Sequence, residues 1–198
     1  GGMLAAAASF FMLELLPTDF NYLAFGGLLL LNGLAMGAFA SPNRAGVMNS
    51  LPPQHRGAGA GMNATFQNSA QVLSIGIFFS LMIIGLASKL PASLYSGLTA
   101  HGVPTAVASR VAHLPPVSTL FGAFLGYNPV QSLVGSATLN QLPPHQAAIL
   151  TGRGFFPDLI SAPFRSGLHE AFAFAIIACL VAAVASWLRG GRYVWSET

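Results

Sequence analysis

Ionisable side chains are absent from three long stretches of the chain, and this pattern predicts membrane-spanning helices. No Asp, Glu, Lys, Arg or His lies between Asp19 and Arg44, and none lies between Arg56 and Lys89. The third stretch is "AFAFAIIACLVAAVASWL", which begins at Ala171. A helix needs about 20 apolar residues to cross roughly 30 Å of hydrocarbon. We therefore predict transmembrane helices at 20–43, 57–87 and 167–188.

A fourth apolar stretch, residues 1–16, would extend only about 24 Å as a helix. The chain begins with Gly1-Gly2 rather than methionine, so we expect a helix with a truncated start, cut from a longer protein. The predicted spans are joined by a cytoplasmic turn at 44–56 and an extracytoplasmic loop at 88–166, and are followed by a cytoplasmic tail at 189–198.

The orientation follows from the short loops, because lysine and arginine are retained on the cytoplasmic side. The turn before the second span carries no base, whereas the next turn holds Arg44 and Arg56. Arg189 and Arg192 follow the last span. Both ends of this chain are therefore predicted to be cytoplasmic.

Composition supports the membrane assignment. Charged residues make up 7% of the chain and hydrophobic residues 54%, with a mean hydropathy of +0.64. A soluble domain typically carries about 25% charged residues, so the main solvent should be the lipid bilayer. The basic residues are scattered and form no run or stripe, which argues against nucleic acid as a partner.

The loop at 88–166 is rich in proline and glycine and includes two short apolar pieces. They are "STLFGAFLG", residues 118–126, and "PDLISAPF", residues 157–164. Both are too short to span a membrane, and we expect interfacial or re-entrant segments.

Polar residues form a stripe along the predicted helix 57–87. Asn63, Gln67, Gln71 and Ser74 fall within an arc of about 80° when the helix turns about 100° per residue. Amide groups facing lipid without partners would be costly, so these must face protein or water. Two interpretations remain open: hydrogen bonding between helices, or the wall of an aqueous cavity that a solute crosses.

Small residues lie on the opposite face of the same helix. Gly57 and Gly61 are four residues apart, and Gly33 and Gly37 repeat the spacing on the preceding span. Small residues at this spacing let membrane helices approach closely. We therefore expect these glycines to be helix-packing positions.

Pro42 and Arg44 stand near the cytoplasmic end of the second span. Proline should bend the helix there, because it removes one backbone hydrogen bond. The arginine either extends to the interface under the positive-inside rule or forms part of an inner gate.

The segment "GLAMGAFASPNRAGVMNSLPPQHRGAGAGMNATFQN" resembles the end of major facilitator superfamily transporters, specifically the fourteen-helix drug:proton antiporter family. That family often carries "RQLGG" where this chain has "FQNSA", so Gln67 matches and Phe66 replaces an arginine.

The resemblance implies an all-α polytopic membrane protein, in which these are the last four transmembrane helices of a major facilitator-type bundle. It further implies multi-pass insertion in the cell (plasma or inner) membrane and proton-coupled export of small organic compounds, amphipathic or cationic. The N-terminal half of the transporter would be missing from this chain, and no cofactor or metal is implied.

Two other classes of function remain open for this sequence. The sequence contains no catalytic motif of the serine hydrolase, metalloprotease or nucleotide-binding kind, and its histidines lack metal-ligand spacing. A polytopic membrane enzyme would rely on the loop histidines His101, His113 and His145. A non-transporting membrane subunit would instead keep the polar stripe paired and dry.

Overall fold

The protein is described by a computed structural model covering residues 1–17, 19–117, 125 and 128–189. Its described residues contain helices and no strand. The helices long and apolar enough to cross a membrane are α2 (Tyr22–Asn49), α3 (Arg56–Ala100) and α8 (Phe155–Leu188). A shorter apolar helix, α1 (Gly2–Glu14), precedes them. The predicted all-α membrane architecture is confirmed.

α2 begins at a polar cap and ends before two prolines. The Asn21 side chain accepts a hydrogen bond from the Leu23 amide at 2.8 Å, which satisfies one of the free donors of the first turn. The helix continues through Pro42 to Asn49, so Arg44 lies on a helix rather than in the predicted turn. Pro52 and Pro53 then disfavour helical geometry in the residues before them.

α3 has 45 residues and extends about 67 Å, roughly twice the thickness of the hydrocarbon. It differs from the predicted helix by continuing past Lys89 and Pro91. The reason is a stripe of buried leucines, one per helical turn, whose packing outweighs the local signals for a helix end. These leucines are Leu86, Leu90, Leu94 and Leu98.

The end of α3 requires a glycine. The Val103 amide bonds to the Leu98 carbonyl at 3.1 Å and the Gly102 amide bonds to the Thr99 carbonyl at 3.0 Å. This pair of bonds is a Schellman motif, in which the residue after the cap adopts a positive φ. Gly102 has φ +82°, and a Cβ atom there would also lie 2.6 Å from the Gln146 side-chain oxygen.

The chain divides into two compact units, and α3 and α8 each contribute to both. The first unit, called here the span unit, holds Gly1–Phe79 and the chain from Ala171 onward. The second, called the connecting unit, holds Ser80–Glu170.

In the span unit, small residues let α1 approach α2 closely. A Cβ atom on Gly2 would lie only 2.7 Å from the carbonyl oxygen of Ala35. Ala6 and Ala7 are buried with Ala35, and Cys179 of α8 belongs to the same cluster. Three helices therefore share one core made of small side chains.

The connecting unit includes most of the stretch predicted as an extracytoplasmic loop, and it contains several helices among its described residues. Besides parts of α3 and α8 it contains α4 (Thr105–Ala112), α5 (Val130–Val134), α6 (Ser136–Leu139) and α7 (Pro144–Thr151). Its buried residues include one or more from each of these helices: Val111, Val130, Leu139, Leu150 and Phe156.

The two apolar pieces of the predicted loop have different outcomes. The piece at 157–164 lies inside α8, where Ile160 and Pro163 are buried. It is therefore helical and partly buried, and its interfacial position stays a prediction. The piece at 118–126 lies outside the described residues except for Leu125, and so does the tail beyond Arg189.

α3 and α8 cross at a pair of glycines in the connecting unit. A Cβ atom on Gly85 would lie 2.6 Å from the Cα atom of Gly167, and both glycines are buried. Any side chain at this point would force the two backbones apart.

Candidate functional site

An open cleft lies between α2 and α3 in the span unit. Its volume is about 280 Å³. Three of its six lining residues are polar, but most of the surface that lines it is apolar; the residues are Arg44, Met48, Ala60, Asn63, Ala64 and Gln67. The cleft therefore combines hydrogen-bonding groups with an apolar wall.

Helical periodicity brings these residues together. Arg44 and Met48 are four residues apart on α2, so they lie one turn apart on one face. Asn63 and Gln67 have the same spacing on α3, and the small side chains of Ala60 and Ala64 beside them leave the cleft open.

A hydrogen bond crosses the cleft. The Arg44 guanidinium donates from Nη2 to the Gln67 side-chain oxygen at 2.8 Å. The structure thus joins a predicted gate residue to a predicted cavity residue. Arg44 is the charged side chain of the lining, and no carboxylate is among the lining residues. The cleft is therefore a site of positive charge and hydrogen-bond donors.

The other residues of the predicted stripe lie further along α3. Gln71 and Ser74 are exposed and do not line the cleft. The Ser74 hydroxyl donates to the backbone carbonyl of Gln71 at 2.9 Å, a bond within the helix. Pro42 lies inside α2 and is not among the lining residues.

The four glycines predicted to pack α2 on α3 are open in this structure. An ideal Cβ atom on Gly33, Gly37, Gly57 or Gly61 meets nothing within 4 Å. Between these two helices the expected close approach is not made. A packing role for these glycines stays a prediction about surfaces elsewhere in the protein.

Sequence reasoning missed two polar pairs in the span unit. The fully buried Ser9 hydroxyl donates to the Ala6 carbonyl at 2.8 Å and accepts from the Asn32 amide at 2.6 Å. An amide inside a predicted span needs a partner, so Asn32 itself was the available signal.

The second pair joins α8 to α2, where Arg189 donates from Nη1 to the Asn43 side-chain oxygen at 3.2 Å. The partners are 146 positions apart, and no local pattern indicates the contact.

The loop histidines lie on or beside separate helices. The Nδ1 atom of His101 is 2.8 Å from the Gly97 carbonyl and that of His113 is 2.7 Å from the Ser109 carbonyl. Each thus bonds to the last turn of its own helix, and His145 lies in α7. Across the described ranges, no group of three side chains suited to hold a metal ion is found.

These observations define a class: a multi-pass, all-α membrane protein with a cleft between two apolar helices that is crossed by a hydrogen bond between polar side chains.

Among characterised proteins, the chain is similar to the riboflavin transporter RibZ of Clostridioides difficile (strain 630). The two are 38% identical over 52 residues, which is 26% of this chain and 11% of RibZ. The chain thus matches about a tenth of that relative's length. No family model matches the chain. No solved structure matches it. The partial likeness and the apolar helices support a role in membrane transport.

Proposed function

We propose that the chain is part of a secondary transporter that exports small organic compounds in exchange for protons, of the major facilitator drug:proton antiporter kind. The observation that carries this proposal is the cleft between two apolar helices, crossed by the bond from Arg44 to Gln67. Polar groups at membrane depth mark solute pathways, and the likeness to a riboflavin transporter points to the same role.

In this proposal the cleft is one wall of the pathway, and the N-terminal half of the same protein forms the other. Transport proceeds by rocking of the two halves around a central site. The bond from Arg44 to Gln67 lies at the inner mouth, with both ends of the chain in the cytoplasm. Gln71 and Ser74 continue the same face of α3 toward the middle of the bilayer, in the cell membrane.

The lining specifies the substrate in outline. Met48, Ala60 and Ala64 accept an apolar body, while Arg44, Asn63 and Gln67 supply donors. A guanidinium without a carboxylate in the lining repels cations. The cleft therefore favours amphipathic compounds with hydrogen-bond acceptors, neutral or anionic, over the cationic drugs that family resemblance alone implies.

The test is export by the full-length protein in inside-out vesicles with an imposed proton gradient. Riboflavin serves as a neutral, acceptor-rich probe, and a lipophilic cationic dye serves as its counterpart. The variants are Gln67→Leu and, as a matched control, Asn68→Leu, which removes the same kind of side chain from the next position on α3.

We expect Gln67→Leu to raise the half-saturating concentration of riboflavin about tenfold, because the amide can no longer donate a hydrogen bond to the substrate. Asn68→Leu should leave it unchanged. Equal effects of the two variants at equal expression would remove the cleft from the pathway. An unaltered rate on collapse of the proton gradient would exclude proton coupling.

A further inference from the structure

Two adjacent residues of α2 bind the two neighbouring long helices of the span unit. Arg44 donates to Gln67 on α3 at 2.8 Å. Asn43 accepts from Arg189, the residue directly after α8, at 3.2 Å. One turn of α2 is therefore tied to both helices at once.

A glycine makes room for the second tie. An ideal Cβ atom on Gly46 would lie 3.1 Å from Nη2 and 3.3 Å from Nη1 of Arg189. Gly46 stands three residues after Asn43, so both are on the same face of α2. The guanidinium of Arg189 therefore rests over bare backbone at Gly46 while it bonds to Asn43.

A cation after the last turn of a helix is also favoured by the helix dipole and by the positive-inside rule. Those effects account for a positive charge at position 189. They do not account for a donor within reach of Asn43, or for the space at Gly46 that the guanidinium fills.

We propose that Arg189 is a positioning residue for the cleft. By fixing Asn43 it holds the end of α2 at the rotation that places Arg44 on Gln67, and so keeps the inner mouth closed. The contact itself stands independently of transport, whereas its effect on substrate affinity rests on the proposed function.

The first test reads the cleft without transport. In the full-length protein with Cys179→Ser, the variant Ala64→Cys places a thiol in the cleft lining, and its rate of labelling by a charged, water-soluble thiol reagent is measured in membranes. Arg189→Gln replaces the guanidinium with a shorter, neutral amide. Gly46→Val displaces the guanidinium but keeps the Arg189 and Asn43 side chains themselves. Arg56→Gln is the control, because it removes the same charge from the start of α3.

We expect Arg189→Gln and Gly46→Val each to speed labelling about threefold or more, and Arg56→Gln to leave it unchanged. The double variant Arg189→Gln/Gly46→Val should be labelled as fast as either single variant, because both changes break the same contact. Unchanged labelling in Arg189→Gln, or additive effects in the double variant, would overturn the inference.

The second test uses riboflavin export by the same protein without the added cysteine. Arg189→Gln should raise the half-saturating concentration about twofold to tenfold with the maximal rate unchanged, and Arg189→Lys should not restore it, since lysine lacks the planar fork. In an Arg44→Gln background, Arg189→Gln should not raise the half-saturating concentration further. A full additional rise there would refute action through Arg44 but leave the proposed function intact.

A wild-type protein that exports nothing would refute only the proposed function. The labelling result would then still decide the positioning role.

Discussion

The glycine crossing between α3 and α8 offers the sharpest test of the fold. Replacing Gly85 with alanine places a Cβ atom 2.6 Å from the Cα atom of Gly167 and 2.9 Å from its amide nitrogen. Carbon atoms in contact normally stay about 3.5–4.0 Å apart, so the helices must separate by about 1 Å. Overpacking of this size costs about 1–3 kcal/mol.

Alanine also raises helix propensity, by about 1 kcal/mol relative to glycine, which would hide part of this cost. Gly76→Ala on the same helix is the matched control, because its Cβ atom meets nothing within 4 Å. The free energy of unfolding of the full-length protein, titrated in mixed micelles and followed by helix content, should be about 1–3 kcal/mol lower in Gly85→Ala than in Gly76→Ala.

A second comparison does not depend on the control. Gly167→Ala would bring a Cβ atom against the Met82 carbonyl at the same crossing. Once the helices have separated for one alanine, the other adds little, so the loss in the Gly85→Ala/Gly167→Ala double variant should be smaller than the sum. Equal stabilities of Gly85→Ala and Gly76→Ala, together with additive losses, would refute the close crossing.

Two further predictions use the same unfolding titration. Ser9→Ala removes the acceptor of the Asn32 amide and should lower the free energy of unfolding by about 1 kcal/mol. Adding Asn32→Leu should recover part of that stability, and a larger loss in the double variant would contradict the pairing. Gly102→Ala should cost about 1–2 kcal/mol for the positive φ, and more because its Cβ atom would clash with Gln146. Gly135→Ala is the control, since its φ is also positive but its Cβ atom meets nothing within 4 Å. Equal losses of stability in the two variants would contradict the structure of this turn.

The long helices were predictable because lipid imposes a simple rule: a span must lack ionisable residues over its length. Their ends were less predictable. Lys89 and Pro91 are ordinary signals for a helix end, yet α3 continues to Ala100. What sustains it is the burial of Leu90 and Leu94, which local sequence alone does not reveal.

The candidate site was predictable in its parts but not in its assembly. Gln67 was identified from the cost of amide groups that face lipid, and Arg44 from its place at the cytoplasmic end of a span. Their bond depends on how α2 and α3 are placed. Nothing in the sequence indicated the contact between Asn43 and Arg189, because polar residues at a helix end are ordinary and only the fold brings these two together.

Water access to α3 tests the central claim most directly. The test uses the full-length protein with Cys179→Ser and one added cysteine in each variant. Asn63→Cys and Gln67→Cys place the cysteine on the polar stripe, and Met62→Cys and Phe66→Cys place it at the preceding position, on the apolar side. A cleft that forms a solute pathway predicts rapid labelling of the first two by a charged thiol reagent, slowed by transported substrate, and slow labelling of the others. Labelling that is equal at all four positions, or confined to 62 and 66, would contradict it.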